Sequence, residues 1–224
     1  MVRIGSIDLN KSIAAVIGEN PVSTAKKAKQ LGADLLELRI DLLNDDAIQI
    51  LEDLRTIGLP IIVTNRMKAE GGAWIKNEEE RISKLISLIH LADAVDIELC
   101  ADERNEVVEE AKRRGKTILI SSHDFKKTPG TDVMKEILNE ALTAGADIAK
   151  LAVTPNSLDD VLRLLDVTLH AKGAVCTIAM GELGRHSRVI APVYGSVLTY
   201  GYVETLAAPG QYRVDELRAM LELL

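Results

Sequence analysis

Residues 144–153 read AGADIAKLAV, and the reading of this stretch decides the fold. A helix-like polar segment runs up to Ala144, Gly145 interrupts it, and an apolar run follows almost at once. Glycine just past a helix end takes the left-handed conformation at little steric cost, so Gly145 reads as a helix C-cap feeding a strand. The same junction recurs as LGADLLELRI at 31–40, IGLPIIVT at 57–64, RGKTILIS at 114–121 and KGAVCTIA at 172–179. The other helix ends are marked too. Asn77 with Glu80 makes an N-cap with an acidic third position, and Asp102, Thr131 and Asn156 are further N-cap candidates.

Strands are predicted near residues 13–17, 35–40, 61–64, 95–99, 118–121, 148–152, 175–179 and 197–201, with helical patterns between them, as parallel strands with crossover helices require. The runs IIVT, TILIS and VCTIA are apolar on both alternations, which suits strands covered on both faces. Eight such units predict an α/β fold, the (β/α)8 TIM barrel, slightly below its typical length of roughly 250 residues. A doubly wound open sheet is disfavoured, because no GxGxxG or P-loop follows the first strand. Residues 1–224 read as one barrel domain, with 1–10 as a short cap over its floor.

The 224 residues are 47% hydrophobic and 27% charged, a globular composition long enough for one large core. No apolar run approaches the roughly 18–20 residues that span a bilayer, and the N-terminus has no signal-like apolar region, so a cytoplasmic protein is expected. A net charge of −7 without a basic block, and 3% aromatics, argue against nucleic acid and anionic membranes as partners. A small molecule is the favoured partner. Cys100 and Cys176 lack metal-ligand spacing and read as two buried, reduced thiols.

A barrel places its active site at the C-terminal strand ends, so ionisable residues there carry the functional reading. In LLELRID (35–41), alternation puts Glu37, Arg39 and Asp41 on one face and apolar residues on the other, so the charged face points inward. VDIEL (95–99) does the same with Asp96 and Glu98. Glu37 and Arg39 read as ligand-binding; Asp41, Asp96 and Glu98 read equally well as an internal ion-pair network. Arg66 and Glu70 follow the third strand, beside a hinge-like Gly71-Gly72, in a stretch that on its own reads as a solvated surface loop. His123 falls at the rim of the fifth strand, next to the strand that carries Lys150.

Lys150 points into the barrel with Ile148 and Ala152. Apolar neighbours would lower its pKa and expose a free amine able to form an imine with a carbonyl. A lysine paired with Glu37 or another inward carboxylate fits the spacing equally well. Met180, His186 and Arg188 follow the seventh strand, His186 as a surface residue. Pro209-Gly210-Gln211 reads as a tight turn after the eighth. Arg39, Arg66 and Arg188 around one mouth suit a small anionic substrate.

In this order, ELRID, TNRMKAEGG, ISSHDF, ADIAKLAV, TIAMGELGRHSR and AAPGQ resemble the type I 3-dehydroquinate dehydratases from the first strand to the last helix. The resemblance implies a metal-free barrel without cofactor, usually a homodimer. The reaction would be the shikimate-pathway conversion of 3-dehydroquinate to 3-dehydroshikimate by syn-elimination of water through a lysine imine. It makes Lys150 the Schiff-base lysine, His123 the proton donor and acceptor, and Glu70 the group that orients His123. Glu37 and Arg39 would hold ring hydroxyls, Arg66 and Met180 would line the pocket, Arg188 would bind the carboxylate, and Gln211 would close over the substrate. His123, with an ordinary pKa of about 6.5, would serve in both directions near neutral pH. Two positions depart from the family pattern. Ala207 stands where Ser is usual, leaving its contact to Thr205 or backbone, and Tyr200 replaces Phe. A class I aldolase or transaldolase would share the lysine but would need a phosphate cradle after the seventh or eighth strand, which is missing. A binding protein would not need both Lys150 and His123.

Overall fold

Eight parallel strands follow one another around a single sheet in the computed structural model, which describes residues 2–43, 46–206 and 208–224. They are β1 (Ser12–Ile17), β2 (Leu35–Arg39), β3 (Ile61–Thr64), β4 (Ala94–Glu98), β5 (Thr117–Asp124), β6 (Ile148–Val153), β7 (Val175–Ala179) and β8 (Leu198–Gly201). β8 pairs with β1, and a parallel bridge between Val175 and Ser196 closes the remaining seam. This is the expected (β/α)8 barrel. Its helices are α1 (Pro21–Gln30), α2 (Ala47–Arg55), α3 (Glu78–Leu88), α4 (Arg104–Arg113), α5 (Thr131–Thr143) and α6 (Leu158–Leu169). The short α7 (Gly181–Gly184) and α8 (Ser187–Ile190) follow β7, and α9 (Val214–Glu222) ends the chain.

The recurring Ala-Asp before the even strands has a structural task. Asp34, Asp93 and Asp147 accept from the backbone N–H of Ile13, Ile61 and Ile118 at 2.7, 2.9 and 2.8 Å. The N–H of each aspartate returns a bond to the carbonyl of the same partner. At the fourth corner Ser196 Oγ accepts from Thr177 N–H at 3.1 Å. The first three odd strands are thus tied near their starts, and β7 at its middle residue Thr177, to the segment leading into the even strand that follows. These ties set the stagger that brings chemistry-bearing side chains to one end.

Two apolar layers result. Ile13, Leu36, Leu38, Val63, Val95, Ile97, Ile120 and Leu151 face the helices. Ala14, Leu35, Ile62, Leu119, Ile148 and Leu198 fill the lower barrel. An antiparallel hairpin, Arg3–Ile4 against Ile7–Asp8, lies across that lower end, with Ile4 fully buried among the inner residues. No described helix is long and apolar enough to cross a membrane.

Several local expectations shift. Asn77 caps α3 through Glu80 N–H at 2.8 Å, as read. The cap of α6 is Ser157, one residue after Asn156, because Ser157 and Asp160 satisfy each other's backbone N–H groups. Gly130 precedes α5, so Thr131 is its first residue, and α4 starts after Glu103 without a side-chain cap, so Asp102 caps nothing. Gly32, Gly58, Gly115 and Gly145 take positive φ, whereas Gly173 does not, since α6 ends four residues earlier at Leu169. Cys176 is buried, but Cys100 is exposed, because β4 ends at Glu98 and Cys100 lies in the turn at the mouth.

Candidate active site

Inward positions turn from apolar to polar on ascending the strands. At the C-terminal mouth one pocket is lined by Glu37, Arg39, Arg66, Glu70, His123, Lys150, Met180, Arg188 and Gln211. All nine candidate residues therefore meet, from six separate βα units. Val16, Ala152, Ile178 and Tyr200 add an apolar wall. His186 is exposed and outside the pocket, as expected. Thr205 lines a neighbouring cavity instead, and Ala207 lies outside the described residues.

Lys150 corrects the expectation of a lowered pKa. Its ammonium is 2.9 Å from Asp96 Oδ2 and 3.5 Å from Glu37 Oε1. Burial pulls its pKa down, but Asp96 and Glu37 outweigh that, and the net shift is upward. The ammonium also sits 4.2 Å above the Tyr200 ring, a cation–π contact. The resting amine is therefore held as a paired ammonium. Sequence neighbours alone suggested otherwise, because Asp96 lies 54 residues away and two strands across the barrel.

Arg66 is the hub beneath. Its guanidinium contacts Asp96 at 2.7 Å, Glu98 at 2.8 Å and Ser121 Oγ at 2.7 Å. Arg81 closes on the second oxygen of Glu98 at 2.9 Å. Arg39 makes a two-pronged pair with Asp41 at 2.9 and 2.7 Å. Asp41 belongs to a 3-10 turn just past β2 rather than to the strand. Its oxygens also accept from the N–H groups of Arg66 and Ala73, pinning both ends of the loop that carries Glu70. Asp41, Asp96 and Glu98 thus form the ion-pair network that was one of two readings. In the same loop, Gly72 is a close approach rather than a hinge: a Cβ there would lie 1.9 Å from the Arg66 carbonyl oxygen.

Glu70 Oε2 accepts from His123 N–H at 3.0 Å and meets His123 Nδ1 at 2.8 Å. Burial raises the Glu70 pKa to about 7. His123, in contrast, is pushed well below its usual value by burial and then by the Arg66 and Lys150 cations, so the expected ordinary pKa does not hold. With Nδ1–H donated to Glu70, Nε2 is left as the acceptor. Phe125 stacks beside the imidazole at 6.4 Å. β5 extends through Asp124, so His123 is a strand residue in register with Ala152.

Arg188 is the third arginine and differs from the other two. It is 1% exposed, and its partners are the carbonyls of Gly210 at 2.9 Å, Pro209 at 3.2 Å and Tyr200 at 3.5 Å. No carboxylate pairs with it among the described residues, and burial lowers its pKa to about 10. The Pro209-Gly210 turn fits against Gly181: a Cβ at position 210 would meet the Gly181 carbonyl oxygen at 2.2 Å. Gln211 is buried, with its Oε1 accepting from Ala208 N–H at 3.1 Å.

Sequence reasoning missed Cys100, Phe125 and the contact between Lys150 and Tyr200. Cys100 could have been found by continuing the β4 alternation from Asp96 and Glu98. No group of three His, Cys, Asp or Glu side chains among the described residues is placed to hold a metal ion.

The comparisons with known proteins agree with one another. The 3-dehydroquinate dehydratase of Methanosarcina barkeri is 53% identical over the full length of both chains. The crystal structure of 3-dehydroquinate dehydratase from Geobacillus kaustophilus superposes with a TM-score of 0.90 at 31% identity, over 99% of this chain and 93% of that one. The type I enzyme from Clostridium difficile, solved with covalently modified comenic acid, gives 0.92 at 28% identity, over 99% and 96%. The model of the type I 3-dehydroquinases matches residues 15–224. With the barrel, the pocket and these likenesses in agreement, the chain belongs to the type I 3-dehydroquinase family of hydro-lyases.

Proposed function

We propose that the protein converts 3-dehydroquinate to 3-dehydroshikimate and water through an imine on Lys150, as a step towards aromatic amino acids. The observation that carries this is the pairing, in one pocket, of Lys150 with the Glu70–His123 dyad beneath an uncompensated Arg188 cation. Arg188 takes the substrate carboxylate, its missing counter-charge. Glu37 and Arg39 hold ring hydroxyls, Met180 and Arg66 shape the walls, and Gln211 packs over the ring.

Asp96 and Glu37 hold Lys150 as ammonium, so the amine is generated as the ketone enters and water leaves. His123, kept neutral at neutral pH, is the uncharged base that can accept that proton. Attack of Nζ on C3 gives a carbinolamine, whose hydroxyl leaves as water with the proton that His123 returns. His123 is then neutral again, and the cationic imine serves as the electron sink. His123 Nε2 then removes a C2 proton, and the electron pair moves to nitrogen as an enamine. Return of the pair expels the C1 hydroxyl, which leaves as water with the proton from His123. Hydrolysis of the new imine releases the conjugated product and the amine. Glu70 holds the imidazole in one tautomer throughout.

Borohydride reduction in the presence of 3-dehydroquinate tests this. The expected result is a mass adduct on the peptide containing Lys150; turnover without an adduct would sink the imine route. His123→Ala should nearly abolish turnover while leaving substrate binding largely intact. We further propose a cytoplasmic homodimer. Its support is the row Leu158, Leu162 and Leu169 left more than half exposed along α6, and a single-chain mass by sedimentation would refute the dimer.

A further inference from the structure

Glu70 is buried, and its two oxygens are used unequally. Oε2 serves His123 twice, through the backbone N–H and the ring Nδ1. Oε1 has one partner among the described residues, the Sγ of Cys100 at 3.1 Å. The sulfur also lies 3.6 Å from Met67 Sδ, but the carboxyl group is nearer and, once ionised, the better acceptor. Cys100 reaches it because it continues the inward alternation of β4 beyond Asp96 and Glu98.

We infer that Cys100 is a positioning residue: its thiol proton, donated to Glu70 Oε1, fixes the carboxylate so that Oε2 faces His123. The inference rests on the roles proposed above for Glu70 and His123. Cys100 is a donor because it keeps its proton: although the residue is exposed, the partial burial of its thiol against Glu70, and then Glu70 itself, push it up to about 12. The groups facing Glu70 come from four places: Arg66 beyond β3, Asp96 and Glu98 on β4, Cys100 after β4, and His123 on β5. Arg66 and the thiol favour the charged carboxylate, whereas burial, Glu98 and Asp96 oppose it. Without the thiol, Oε1 loses its proton donor and the carboxylate takes up a proton more readily. A protonated Glu70 is a weaker acceptor for Nδ1–H and can turn its own O–H towards the imidazole, so the dyad fails from the acidic side first.

The test compares kcat and kcat/KM against pH for the full chain as wild type, Cys100→Ala and Cys100→Ser. In Cys100→Ala the acidic limb should move upward by about one pH unit, with turnover about tenfold lower below the limb and the loss shrinking towards alkaline pH. Cys100→Ser, which restores an O–H donor, should move the limb back. A purely structural role would lower activity at all pH values and leave the limb in place. Capping the exposed sulfur of the wild type with methyl methanethiosulfonate is a second route that needs no variant to fold. It should shift the limb in the same direction, reversibly with dithiothreitol. If Cys100→Ala and the capped protein keep the wild-type limb while Glu70→Gln loses it, the inference is overturned and the roles of Glu70 and His123 stand. If Glu70→Gln and His123→Ala both retain full turnover, those roles fail as well.

Discussion

Arg188 and Arg66 are both buried arginines in one pocket, and replacing each by methionine should have opposite signatures. Arg66 is locked to Asp96 and Glu98, so Arg66→Met leaves two buried carboxylates short of a partner. Breaking buried pairs of this kind costs about 3–5 kcal/mol. In a chain of this size that corresponds to a fall in Tm of roughly 10 °C. Arg188 has no such partner among the described residues, and its drop from 12.5 to about 10 corresponds to a penalty of about 3 kcal/mol for keeping the buried cation charged at neutral pH. Its charge-assisted bonds to the carbonyls of Gly210 and Pro209 return about 1.5 kcal/mol each. The two contributions nearly cancel. Arg188→Met should therefore change Tm by a few degrees at most in the unliganded protein. Binding should suffer instead: losing a desolvated charge contact to the substrate carboxylate costs about 2–5 kcal/mol, roughly 30- to 5000-fold in KM. Calorimetric melts of both variants, with and without a cyclic hydroxy-carboxylate ligand, and steady-state kinetics provide the readout. The wild type should gain Tm on adding ligand, and Arg188→Met should not. An Arg188→Met protein that melts as early as Arg66→Met, or that keeps the wild-type KM, would refute the reading of an uncompensated cation.

Three further outcomes are expected. Glu70 and His123 influence the pH dependence of stability with opposite signs. Between about pH 7 and 4.3 folded Glu70 binds a proton that the unfolded chain does not, which favours the folded state on acidification. Below about pH 6.5 unfolded His123 binds a proton that the folded one refuses, which disfavours it. Glu70→Gln should thus lose stability more steeply than wild type on acidification across this range, and parallel denaturation curves would contradict the assignment. Tyr200→Phe keeps the ring under Lys150 but removes a buried hydroxyl with no partner among the described residues, so chemical denaturation should show a gain of about 1 kcal/mol; a loss would mean that the hydroxyl has a bound partner. Gly72→Ala would force a Cβ onto the Arg66 carbonyl and displace the loop holding Glu70, so kcat should fall at least tenfold, with KM less affected. Wild-type kcat in that variant would show that the loop adapts.

Most strand positions were legible because they are bounded by local chemistry: a glycine behind the strand, an apolar run within it, and a polar residue at its mouth. Alternation and strand order also placed Glu37, Arg39, His123 and Lys150 at the mouth, whereas Glu70, Met180 and Gln211, which lie in loops beyond the strands, were placed there by the family resemblance. The electrostatic state of each one did not. Lys150 has Ile148 and Ala152 as sequence neighbours, yet its charge is set by Asp96 and Glu37, 54 and 113 positions away. His123 reads as an ordinary titrating imidazole until Arg66 and Lys150 are placed beside it. Arg39, Arg66 and Arg188 look alike as letters, and the fold sorts them by which carboxylates their strands bring within reach. Ser157 displaced Asn156 as a cap for a subtler reason, the reciprocal fit with Asp160.

The four ties at the barrel floor have a consequence for how the molecule can be divided. Each closes within 19 to 32 residues: Ile13 with Asp34, Ile61 with Asp93, Ile118 with Asp147, and Thr177 with Ser196. Short closures of this kind are inexpensive in chain entropy and need nothing from the rest of the ring. A cut after the exposed Gly115 leaves two ties in each fragment. The chemistry, however, is shared across the cut. Glu37, Arg66, Glu70 and Asp96 stay with the first half, and His123, Lys150, Arg188 and Gln211 go with the second. Each fragment would carry its own architectural staples and half of a reaction centre, so mixing the two would turn the enzyme into a reporter of its own reassembly.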